Sequence, residues 1–111
     1  MKQFILINRV PSSYGLTEAK EVAETWKKVT DQWKTTEMFV ASFVFPSEGN
    51  IIAGSPVNVS FGNSLIDNLK IVSVIIIRAN DFDAAVELAK SSPILQQQGS
   101  IEIREIMDRP S

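Results

Sequence analysis

Glu102 and Arg104 are the residues of this chain best placed to do chemistry. They lie two apart in a short apolar segment, and in an extended strand that spacing puts both on one side. An arginine offers a planar fork that grips a carboxylate at two points, and a neighbouring glutamate can take up a proton. The pair fits recognition of a small anion. It fits equally a structural ion pair, within the chain or with a carboxylate of a partner. Asn8, Arg9 and Tyr14 follow the apolar run Phe4–Ile7 and suit the mouth of a cavity. As polar residues at a strand end and in a turn, they also need no ligand to explain them. Trp26 and Trp33 stand seven apart on one helical stripe, which suits a ligand platform and suits core packing. Asp31, on the same segment, is a second carboxylate that could act as a base.

Composition removes much of the remaining chemistry. The 111 residues include no histidine and no cysteine. That excludes an imidazole base, a serine–histidine triad, a thiolate nucleophile, a disulfide framework and a zinc–thiolate site. No acidic residues have the spacing of a calcium loop, and the five glycines are scattered rather than grouped around a phosphate. No metal and no cofactor are expected. Eleven basic residues against thirteen acidic give a net charge of −2 without a basic stripe, which argues against nucleic acid. The apolar run after Lys2 stops at Asn8-Arg9, too short for a signal peptide, and Ile71–Ile77 is far too short to span a membrane. A cytoplasmic protein without a membrane partner is the expectation.

The elements that must position these residues follow from periodicity. Phe4–Ile7 reads as a strand covered on both faces. Thr17 is placed to cap a helix reaching to about Thr35, with Ala19, Val22, Ala23, Trp26, Val29 and Trp33 as its apolar stripe. Met38–Phe45 is a second strand. Ile51–Phe61 reads as one edge strand, bulged or bent at Gly54 and Pro56. Ile71–Ile77 is the clearest strand. Asn80 or Asp81 caps a helix through Phe82, Ala85, Val86 and Ala89, a short turn of helix follows Pro93, and Ile101–Met107 closes the chain. The order predicts a single domain over residues 1–111: an α+β, ferredoxin-like split βαβ antiparallel sheet with two helices on one face.

The strands also predict a partner. A sheet with one wet face alternates apolar and polar residues, and neither Phe4–Ile7 nor Ile71–Ile77 does so. A second copy would cover the helix-free face; a fold-over of Ser47–Leu69 is the alternative.

Ile75–Pro93, with its strand, acidic cap and Ala-Val-Glu-Leu-Ala-Lys helix, resembles the YCII-related family of the dimeric α+β barrel superfamily. Gly99-Ser100-Ile101-Glu102-Ile103-Arg104-Glu105-Ile106 is similar to that family's closing strand. The resemblance implies a homodimeric α+β barrel, mostly bacterial members, and a largely unassigned function. Some members carry a histidine–aspartate pair proposed to be catalytic, which a chain without histidine cannot form. Where a related branch has Asp-Gly-Pro-Phe, the region Phe61–Lys70 keeps only the glycine, and the usual Gly-Gly-Tyr of the third core strand reads Val72-Ser73-Val74. The expected function is binding of a small apolar or anionic molecule in the barrel cavity without catalysis, by Arg104, Glu102, Asn8, Tyr14 and Trp33. The alternative is a cofactor-independent isomerase, lyase or oxygenase with Arg104 as anion anchor and Glu102 or Asp31 as base.

Overall fold

The computed structural model describes residues 1–108. Six strands and two α-helices follow in the order β1 (Lys2–Pro11), α1 (Leu16–Thr35), β2 (Phe39–Val44), β3 (Gly49–Ala53), β4 (Asn58–Gly62), β5 (Leu69–Ala79), α2 (Phe82–Ala89) and β6 (Ser100–Ile106), with a 3-10 turn at Pro93–Gln97. Four strands form an antiparallel sheet in the order β2-β5-β1-β6. That is the order two interleaved βαβ units produce.

The cap of α1 lies two residues earlier than the sequence implies. Gly15, not Thr17, occupies the N-cap: its N–H donates to Glu18 Oε1 at 3.1 Å and its carbonyl accepts from the Ala19 N–H at 2.9 Å. A glutamate in the first turn thus reaches back to close the helix start. α2 is capped as its sequence suggests, with the Asp81 carboxylate accepting from the Ala84 N–H at 2.8 Å.

The strand register sorts the two faces. Phe4 and Leu6 of β1 stand opposite Ile77 and Ile75 of β5, and all four are buried beneath the helices with Trp33, Ala85 and Ala89. Each such fully buried aliphatic or aromatic side chain is worth about 1.5–3 kcal/mol. Val10, Tyr14, Val22 and Ile94 form a second cluster where the start of α1 meets the 3-10 turn. Ile5 and Ile7 stand opposite Ile76 and Val74, on the face without helices, and all four are only half-buried.

Two expectations are corrected. The sheet closes into no barrel: β2 and β6 are its two edges, and they pair with β5 and β1 alone. A four-stranded sheet with two unpaired edges is open, since closure requires the two edge strands to pair. Apolar residues on both faces call for cover, and closure is only one way of providing it. The second correction concerns Ile51–Phe61, which is not one bent strand. It reverses at Gly54–Val57, where Gly54 has φ +79° and the Ser55–Pro56 bond is cis, so that β3 and β4 form a separate two-stranded sheet. Gly and Pro here mark a complete chain reversal.

This hairpin stands away from the body as an arm. The chain measures 47 × 43 × 20 Å, and its radius of gyration is 15.3 Å. About 13 Å is usual at this length. A thickness of 20 Å accommodates one helix layer on one sheet; a further layer would add roughly 10 Å. The arm therefore lengthens the molecule in the plane of the sheet, and Ser47–Leu69 does not roof the helix-free face. The edges differ as well. β2 carries no charged residue, whereas β6 carries Glu102, Arg104 and Glu105.

Candidate functional site

A recess lies between α1 and the β2 edge of the sheet and has a volume of about 540 Å³. The spacing of α1 explains its shape. Val22 and Trp26 turn toward the sheet on the apolar stripe, while Ala19 and Ala23 beside them are too small to fill the gap left by Ser42 and Val44 of β2. Ile75 from β5 and Ile94 from the 3-10 turn complete an apolar floor. Polar groups gather toward the rim: Lys27, Thr30, Asp31 and Lys34 from α1, Ser73 from β5, and Tyr14 from the β1–α1 connection. Lys27 Nζ lies 3.0 Å from Asp31 Oδ2, and Lys34 Nζ lies 5.1 Å above the Phe39 ring. Two cations against one carboxylate leave the rim with a positive excess.

A second recess of about 430 Å³ continues toward the base of the arm and shares Tyr14, Ala19, Val44 and Val72 with the first. Tyr14 thus stands where the two meet. Burial, and then the Glu18 carboxylate nearby, push its hydroxyl above the ordinary 10.0. A neutral phenol in an apolar trough is a hydrogen-bond donor for a ligand's polar end.

The residues named from sequence do not converge. Tyr14 lines the trough. Asn8 is fully buried behind its wall, where Nδ2 donates to Ser73 Oγ at 3.0 Å and Oδ1 has no partner among the described residues. Trp33 is packed in the core between the helices and the sheet, 2% exposed. Glu102 and Arg104 lie on the other side of the sheet, opposite Ile7 and Ile5. There, Arg104 Nη1 donates to Glu102 Oε2 at 3.2 Å.

The third member of that cluster is Arg9, which the sequence places beside Asn8 at the strand end without indicating its partner. Arg9 is nearly buried, and its Nη1 donates to Glu102 Oε1 at 2.8 Å. The hydrogen bonds from Arg9 first, and Arg104 second, hold the Glu102 carboxyl below its usual 4.5. Only the pairing of β1 with β6 brings residues 9 and 102 together, so no local spacing announces the contact. The cluster stabilises the edge of the sheet, and a carboxylate already held by two guanidiniums is a poor proton acceptor.

Among the described residues no three histidines, cysteines, aspartates or glutamates come close enough to hold a metal. No helix of the described residues is long and apolar enough to cross a membrane. Comparison with curated proteins yields no match. The family model of the YCII-related domain matches residues 1–109, nearly the whole sequence, and the chain belongs to that family.

Proposed function

We propose that this domain binds a small amphipathic anion, an apolar body with an acidic end, in the trough between α1 and β2, and does not transform it. One observation carries the reading: an apolar floor of Val22, Trp26, Ile75 and Ile94 beneath a rim that bears Lys27 and Lys34. Ligand sites combine such a floor with a few placed polar groups. The body of the ligand lies against Trp26, and its acidic end meets Lys34 or the Tyr14 hydroxyl. Catalysis is left out because the carboxylate in the trough, Asp31, is engaged by Lys27, and Glu102 and Arg104 lie across the sheet.

The test uses decanoate as the probe. The chain has two tryptophans, so two indole N–H signals report separately. Decanoate should shift the Trp26 signal, leave that of Trp33 in place, and lose its effect in Ala23→Trp, which fills the trough from an exposed helix position. Equal shifts at both indoles, or binding unchanged in Ala23→Trp, would overturn the assignment.

The same reading takes the chain as a single domain, cytoplasmic, and one half of a homodimer. The absence of cysteine suits a reducing compartment. Pairing is supported by the helix-free face, where Ile5, Ile7, Val74 and Ile76 are half-buried and Phe43 is 54% exposed. A second copy of this chain laid on that face would shield these residues, each sheet remaining open.

A further inference from the structure

The longest stretch of this chain without a charge runs from Gly49 to Ile66 and contains the arm. In the arm, Ile52 stands opposite Val59 and Asn50 opposite Phe61, so Ile52, Val59 and Phe61 share one face. They are 71%, 60% and 72% exposed. The other face presents glycine, alanine, asparagine and serine around the half-buried Ile51. A two-stranded ribbon is marginal in water until something packs on its apolar side. The arm is also not alone. Nine large apolar side chains between Phe43 and Ile66 are more than two-fifths exposed. They do not form one patch, since Phe43 and Val44 stand on opposite faces of β2, but two arms laid by a two-fold axis on two apolar sheet faces would bury on the order of the roughly 1,200–2,000 Å² of a standard interface.

The occupant follows from charge and shape. A lipid surface is a poor match: the arm has no lysine or arginine, Glu48 and Asp67 flank the uncharged stretch, and the chain carries −2. The chain's own sheet is excluded by the 20 Å thickness. A second copy meets both needs. It brings an apolar face of its own, and an uncharged arm approaches a like-charged molecule without local repulsion. A two-fold axis makes the same contact twice.

We infer that each arm lies across the helix-free face of a second copy, with Ile52, Val59 and Phe61 against Ile5, Ile7 and Ile76. This rests on the homodimer reading above and adds the segment that makes the contact.

The absence of cysteine makes single cysteine variants clean probes. Phe61→Cys chains mixed with Ile7→Cys chains under mild oxidation should give a mixed disulfide dimer, and Val59→Cys with Ile5→Cys provides a second pair. Phe61→Asp should weaken dimerisation by roughly tenfold or more in sedimentation, as loss of an aromatic anchor does, while thermal unfolding stays cooperative. A dimer that neither cross-links between arm and face nor responds to Phe61→Asp overturns the arm contact and leaves the homodimer. A monomer at tens of micromolar overturns both. Arm-dependent capture by phosphatidylcholine vesicles, without dimerisation, also overturns it.

Discussion

Arg9 donates to Glu102 across 2.8 Å from a side chain that is only 10% exposed, joining the end of β1 to the start of β6. Its Nε is buried without a partner among the described residues, so Glu102 is what compensates the guanidinium. Removing the carboxylate from such a contact leaves a charge in a poorly hydrated place.

Acid should therefore loosen this edge. Ionised Glu102 is favoured in the folded chain, so its contribution is complete above the unfolded value of 4.5 and is lost as pH falls through the lower folded value. A carbon-13 titration should find the Glu102 carboxyl below 4.5. Arg9→Met should return it toward 4.5 further than Arg104→Met does, because the Arg9 hydrogen bond is the larger cause. A Glu102 signal that titrates at 4.5 would show that the contact is not held in solution.

Gly99 should tolerate no side chain. A β-carbon there would lie 2.5 Å from the Arg9 carbonyl oxygen and collide with the Ile94 side chain. Two of the three nearest obstacles are backbone oxygens, which cannot swing away. Gly99→Ala should cost about 2–3 kcal/mol in denaturant unfolding. A neutral result would mean that the crossing of β1 and the 3-10 turn is looser than described.

Asn8 and Ser73 should behave as one unit. Ser73→Ala removes the hydrogen-bond partner of the Asn8 side chain and should cost about 1–3 kcal/mol, the range for a stranded buried polar group. Asn8→Val together with Ser73→Ala removes both groups and should cost less than the two single changes added. Strict additivity would separate the two residues.

Tyr14 is the one tyrosine in the chain, so ultraviolet absorbance reads its ionisation directly. It should titrate above 10.0, and Glu18→Gln should lower it part of the way. A raised folded value means that the contribution is complete below the unfolded 10.0 and is lost as pH rises through the folded value. Bound decanoate should move the titration; an unchanged curve would place the ligand elsewhere.

The helices and the central strands were legible because their signals are local. The stripe through Val22, Trp26, Val29 and Trp33 and the unbroken run Ile71–Ile77 specify period and burial by themselves. Gly54 and Pro56 break an apolar run, and such a break does not say how far the chain turns. The trough was not legible, since it depends on where α1 crosses β2. The Arg9–Glu102 contact was hidden for a like reason: it spans 93 positions and exists through strand register alone. Apolar faces demand cover without naming its geometry, so they do not by themselves specify a closed barrel.

The unlike edges of the open sheet bear on how copies can join. A chain that laid its β6 along the β2 of a neighbour would leave a fresh β2 and a fresh β6 at the ends, and a fibre could grow without limit. Glu102, Arg104 and Glu105 stand on one of those two edges and hinder that head-to-tail addition. What they leave open is contact through the helix-free face, where a two-fold axis uses up the apolar surface of both copies and stops at two.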